Sequence, residues 1–140
     1  MQSPKYAIIF PGQGTQSAGM GTPWVDHPAW KIVESAEAAL NEPLGELITT
    51  APEDALTRTR EAQLAVLLTS LVAWEAARPM LDQAPLCFAG HSLGQVTALI
   101  ASGALSVEDG VRFAAKRAEA TQGCADRRPD RKSTRLNSSH

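Results

Sequence analysis

Two cysteines in 140 residues, Cys87 and Cys124, are too few to build a disulfide framework. Cys87 sits inside an apolar run and is expected in the core, so a reducing, cytoplasmic compartment fits best. An excess of charge of one sign is missing too. Thirteen Lys and Arg stand against 15 Asp and Glu, a formal charge of −2 with a pI near 5.9. That balance lacks the electrostatic footprint of a nucleic-acid binder. Long hydrophobic runs are also absent. The longest apolar stretch, residues 62–77, is interrupted by Gln63, Thr69, Ser70 and Glu75, and it falls short of the ~20 residues that cross a bilayer. Residues 6–10 are too short a run for the core of an export signal. Neither nucleic acid nor membrane is therefore expected as a partner. What is present, 44% hydrophobic and 20% charged residues, is ordinary globular composition. The length suits one domain or a piece of a larger one.

Residues 130–140 stand apart. Asp130-Arg-Lys-Ser-Thr-Arg-Leu-Asn-Ser-Ser-His140 has no apolar period and a single hydrophobe, Leu136. The string resembles, residue for residue, one reading frame of a common sequencing-library adapter, and it is read as an artefactual tail rather than part of the fold. Without it, 10 basic and 14 acidic residues remain, and the only histidines are His27 and His91. The domain proper is expected to occupy residues 1–129, with native sequence continuing beyond about Pro129.

Within those residues the pattern alternates between two periods. Residues 6–10 form a continuous apolar run ending at Pro11-Gly12, the signature of a buried parallel strand and a sharp loop. Trp30, Val33, Ala36 and Leu40 recur at helical spacing, predicting an amphipathic helix over 28–40, which Asn41–Pro43 breaks. A short helix is expected at 52–56 and a longer one, apolar on nearly all sides, at 60–78, where Pro79 stops it. Residues 86–89 read as a second buried strand. A helix follows at 93–102 with Gly103 as its stop. Ser106-Val107-Glu108-Asp109 resembles a capping arrangement that opens a last helix to about residue 120. Strand, helices, strand, helix, helix predicts an α/β fold with a parallel sheet.

One hexapeptide carries chemistry. Gly90-His91-Ser92-Leu93-Gly94-Gln95 lies between the second strand and the helix after it. Gly-x-Ser-x-Gly in strand–turn–helix context is a nucleophile elbow. The two glycines leave room for the crossing backbone, and the serine oxygen stands exposed at a helix N-terminus, where free N–H groups stabilise an oxyanion. The elbow alone says acyl transfer by Ser92 and leaves hydrolase and transferase open. The first loop, Phe10-Pro11-Gly12-Gln13-Gly14-Thr15-Gln16, lies at the same sheet edge if the strands are parallel. The Gln13 N–H is a candidate second oxyanion donor beside the Leu93 N–H. A dinucleotide fingerprint fails here, because Ser17 stands where the third glycine belongs. His91 adjoins Ser92 on the turn and points away from it, so it reads as structural. His27 reads as a surface residue, and Trp24 and Trp30 as packing residues.

Together the two motifs resemble the malonyl-CoA:acyl carrier protein transacylases, members of the acyltransferase family shared by fatty-acid and polyketide synthesis. The resemblance covers essentially all of residues 5–122. It implies the N-terminal part of an α/β-hydrolase-like acyltransferase large subdomain. It implies Ser92 as the nucleophile acylated by malonyl-CoA, and Gln13 and Leu93 as the oxyanion hole. It also implies Gln63 near the active site and Arg117 as the partner of the malonyl carboxylate. By pattern alone a helix-end cation beside Lys116 and Glu119 is more often merely solvated. The resemblance, together with a face of Ala114, Ala115 and Ala118 poor in other charge, favours a carboxylate clamp.

The activity implied is [acyl-carrier-protein] S-malonyltransfer in fatty-acid synthesis. Malonyl-CoA and acyl carrier protein are the partners, and no metal or redox cofactor is needed. The family's base histidine lies far downstream, so the truncated chain itself is expected to be inactive. The alternatives are an acyltransferase domain of a polyketide synthase, a serine hydrolase, and a non-catalytic truncated chain. Met1 just before the first strand favours a stand-alone enzyme over the polyketide synthase domain, and the paired glutamines with Arg117 argue against a hydrolase.

Overall fold

The structure, a computed structural model, describes residues 3–127; the tail read as artefactual lies outside the described residues. Two strands, β1 (Ala7–Phe10) and β2 (Cys87–Gly90), pair in parallel with Ala7 opposite Cys87 and Phe10 opposite Gly90. Parallel pairing requires a crossover, since a tight hairpin would return the chain antiparallel. The crossover contains α1 (Lys31–Leu40), α2 (Leu44–Thr49) and α3 (Thr59–Ala77); after β2 come α4 (Leu93–Ala101) and α5 (Val107–Arg127).

The long third helix is the centre of the packing. Eleven of its 19 residues are buried, on every side of the helix, as its all-round apolar sequence requires. Leu64, Leu67, Leu68 and Leu71 meet Val33, Ile48, Leu93, Val96 and Val111 from the surrounding elements in one cluster. Each such leucine contributes about 2 kcal/mol on burial. A second cluster joins Phe10, Trp74 and Ala98 beneath the sheet. There Trp74 meets Phe88 edge-on, with ring centroids 5.4 Å apart. An ion-pair staple ties α3 and α5 to the turn between α1 and α2: Arg60 of α3 grips both carboxylate oxygens of Glu42 in that turn, at 2.6 and 2.9 Å, and reaches Glu119 of α5 at 3.3 Å.

Several sequence expectations are corrected. The strands are not buried on both faces. Ile8, Phe10 and Phe88 turn toward the helices, while Ala7, Ile9, Cys87 and Ala89 face outward, with Ile9 74% exposed. Cys87 is therefore an exposed residue, not a core one. The side chain of a strand alternates between faces, and among the described residues only one face of this sheet is covered. The helix expected from residue 28 opens with a 3-10 turn, Pro28–Trp30, where His27 caps by accepting the Ala29 N–H at 3.0 Å. The short helix at 52–56 is a 3-10 turn, Glu53–Thr57. α2 was not signalled, because its six residues hold only two buried positions, Leu44 and Ile48, too few to establish a period. α5 continues one to two turns past residue 120, with no Gly or Pro strong enough to end it there. Its opening cap is as expected: Ser106 Oγ accepts the Asp109 N–H at 3.1 Å.

Candidate active site

The site begins with backbone. Ser92 lies one residue past the end of β2, after His91, and holds φ 52° and ψ −115°, outside the regions an L-residue ordinarily adopts. Such a conformation persists only where its surroundings force it. Here the force is the close passage of α4 across the strand ends. A Cβ at Gly90 would collide with the Gly94 carbonyl, and one at Gly94 with the carbonyl of Phe10. Both motif glycines are thus required by close approach. His91 extends the strand pairing by one step, donating its N–H to Phe10 O at 3.3 Å. That bond holds the first loop beside the elbow.

Ser92 itself is exposed and is the N-cap of α4. The N–H groups of Gly94 and Gln95 fold back, Gly94 to His91 O at 2.8 Å and Gln95 to Ser92 O at 3.0 Å. Leu93, buried by its side chain, keeps an N–H with no backbone acceptor among the described residues. This is one of the donors that a helix start leaves open. The Gln13 N–H likewise has no backbone acceptor among the described residues.

Four side chains from four parts of the sequence meet here. Arg117, half-buried on α5, donates from Nη2 to Ser92 Oγ at 3.1 Å and from Nη1 to Gln63 Oε1 at 3.4 Å. Gln63, on α3 and only 4% exposed, donates from Nε2 to Gln13 Oε1 at 3.3 Å. The candidate nucleophile, clamp and loop residues therefore form one hydrogen-bonded series. Sequence reasoning placed Gln63 near the site only through resemblance; a lone glutamine in an apolar helix is the signal that it must find polar partners.

Gln16, paired with Gln13 in the first-loop motif, has a structural part. Its Oε1 accepts the Gly14 N–H at 2.8 Å and its Nε2 donates to Leu56 O at 3.2 Å, so it tethers the first loop. His91 makes no side-chain hydrogen bond to Ser92. Among the described residues, no group of three or more His, Cys, Asp and Glu side chains is arranged to hold a metal ion. None of the described helices is long and apolar enough to cross a membrane.

Chemically, the arrangement presents a strained, exposed hydroxyl at a helix start, with the open Leu93 N–H next to it, the open Gln13 N–H on the loop packed against the elbow, and a guanidinium within reach. Known proteins share this chain's pattern. A malonyl CoA-acyl carrier protein transacylase of Bacillus subtilis is 41% identical over 117 residues, covering 82% of this chain and 37% of its own length. One from Salmonella typhimurium is 34% identical over 122 residues, covering 84% and 39%. The crystal structure of an acyl-carrier-protein S-malonyltransferase from Burkholderia pseudomallei superposes with a TM-score of 0.79 at 36% identity, covering 85% of this chain and 39% of that one. The chain thus spans well under half the length of the relatives it matches. Residues 7–134 match the acyl transferase domain family, and the chain belongs to it.

Proposed function

We propose that the protein containing this chain transfers a malonyl group from malonyl-CoA to an acyl carrier protein through an ester on Ser92, in cytoplasmic fatty-acid synthesis. The observation that carries this reading is the series Ser92–Arg117–Gln63–Gln13 at the elbow. It sets a fixed cation beside an exposed nucleophile, where an acyl group with its own carboxylate fits and an uncharged one leaves the guanidinium without a counter-ion.

In the first half-reaction Ser92 Oγ bonds to the thioester carbonyl carbon. The Gln13 and Leu93 N–H groups receive the oxyanion. The carbon–sulfur bond then breaks, and CoA leaves as the thiol with the proton that the serine gave up. In the second half, the pantetheine thiol of the carrier protein attacks the Ser92 ester, and Oγ regains its proton. Both halves balance without a metal or redox group. Arg117 pairs two-point with the malonyl carboxylate throughout. Arginine only donates, so the proton of Ser92 goes to a base, which the family resemblance puts at a histidine farther along the full-length protein.

The test is transfer by the full-length protein from malonyl-CoA to holo-acyl carrier protein, followed by mass of the carrier. Wild type should load the carrier and show a malonyl adduct on the peptide containing Ser92. Ser92→Ala should do neither. Undiminished loading by the alanine variant would overturn the proposal. The 140-residue chain alone is expected not to catalyse transfer.

A further inference from the structure

We propose that Gln63 is a positioning residue that locks the carboxylate-binding arginine and the oxyanion loop into one register; the inference rests on the acyl-transfer reading above. Gln63 projects from α3, whose buried residues are otherwise apolar apart from Thr69. A buried amide is costly unless its polar atoms find partners. The partners it finds also fix which way it points. Arg117 has no acceptor to offer, so the Gln63 oxygen must face it. The amide NH2 is then left for Gln13, whose own oxygen must turn inward to receive it. The order of donors and acceptors along the three side chains has a single solution.

This has two consequences for catalysis. With Nη1 anchored at Gln63, rotation of the planar guanidinium is restricted, and Nη2 is the group left facing Ser92. With its side chain held on α3, Gln13 cannot swing, and Gln16 fixes the other end of the loop through Leu56. The backbone N–H of Gln13 is thereby held in a preset direction. Gln63 reaches no reacting atom in this account. It acts through Arg117 on binding of the acid and through Gln13 on the oxyanion.

The experiment uses the full-length protein with malonyl-CoA and acetyl-CoA as competing donors. Gln63→Met keeps length and packing but loses both hydrogen bonds. It should raise KM for malonyl-CoA about 10-fold, the expected result of misplacing a hydrogen bond to a charged group. It should leave KM for acetyl-CoA unchanged and lower kcat for both donors. Gln63→Glu keeps an acceptor but pairs with Arg117 as a rival carboxylate, so malonyl KM should rise further. Gln13→Ala removes only an exposed side chain and keeps the backbone N–H. Its kcat penalty should vanish in the Gln63→Met background, because both changes cut the same link.

A Gln63→Met protein that melts like wild type and keeps both kcat and malonyl KM would overturn the proposal. So would penalties for Gln13→Ala and Gln63→Met that simply multiply. Should Gln63→Met fail to fold, an unchanged kcat in Gln13→Ala is enough to overturn it. Ser92→Ala in the same assays separates the two readings: an active alanine variant removes the acyl-enzyme itself, whereas an inactive one beside a wild-type-like Gln63→Met removes only the positioning role.

Discussion

Arg117 Nη2 lies 3.1 Å from Ser92 Oγ, so a cation on one helix donates to the exposed hydroxyl at the start of another. The contact makes the arginine part of that hydroxyl's immediate surroundings. Replacing Arg117 by Ala in the full-length protein should lower kcat/KM for malonyl-CoA about 100-fold, the cost of a two-point charged interaction. For acetyl-CoA, kcat/KM should change by no more than about 3-fold, which is under 1 kcal/mol. Arg117→Lys keeps the charge without the planar fork and should fall between the two. Steady-state competition between the two thioesters measures this directly, and unchanged selectivity in the alanine variant would remove the clamp.

The elbow makes a separate prediction about stability. A methyl group at residue 94 meets the Phe10 carbonyl, which is backbone and cannot swing aside. Gly94→Ala should therefore cost about 3 kcal/mol, the upper end of the overpacking range, and should also displace Ser92. Urea unfolding should show a lower midpoint at constant slope. Gly123→Ala, on α5 with open space around the position, is the matched control and should be neutral or slightly stabilising.

The difference between these two glycines explains what was legible in the sequence. Gly90 and Gly94 sit at fixed spacing around Ser92, between an apolar run and a helical period, so motif and context together pointed to a close backbone crossing. α3 was equally plain, because an all-round apolar helix has to be central. Cys87 was misread for a reason of the same kind. Its apolar run looked like a strand buried on both faces, but among the described residues only one face of the sheet is covered, and Cys87 lies on the other. The Gln63 bridge was legible only in part. Residue type announced a buried amide in need of partners, whereas the choice of Arg117 and Gln13 as those partners is set by how α5 and the first loop pack.

The staple between Glu42 and Arg60 predicts a pH dependence. Hydrogen bonds from the Arg60 guanidinium hold the Glu42 carboxyl below the usual carboxylate range, and the same bonds raise Arg60. A carboxyl depressed in the folded state adds stability above its unfolded pKa, and that stability is lost as pH falls through its folded pKa. The pair is partly exposed, with 24% and 36% of its side chains accessible, so screening limits its worth to about 0.5–1 kcal/mol. Glu42→Gln should lower the urea midpoint at neutral pH by that amount. The gap to wild type should close as pH falls toward about 3, below the ordinary range of carboxylates. A gap that is the same at both pH values would show that the charge of Glu42 is not what stabilises the fold.

The outer face of the sheet gives the last prediction. Ile9 is 74% and Leu86 69% exposed, and Cys87 and Ala89 face the same way as Ile9. A cavity of about 600 Å³ runs beside β2, lined by Cys87, Phe88, Gln95, Leu99 and Ser102. Apolar surface of this kind beside an unpaired strand edge promotes association. The 140-residue chain alone should scatter light at micromolar concentration, and Ile9→Lys should reduce that scattering without lowering the melting temperature. The Cys87 thiol reports on the same face. In a Cys124→Ser background it should react with a neutral thiol reagent at the rate of a free cysteine in the chain alone. In the full-length protein, whose relatives are more than twice as long as this chain, reaction should slow at least 10-fold, because only unfolding or local opening then exposes the sulfur. Equal rates in the two proteins would mean that the outer face stays open in the complete domain, and that the single-sided sheet is the native arrangement.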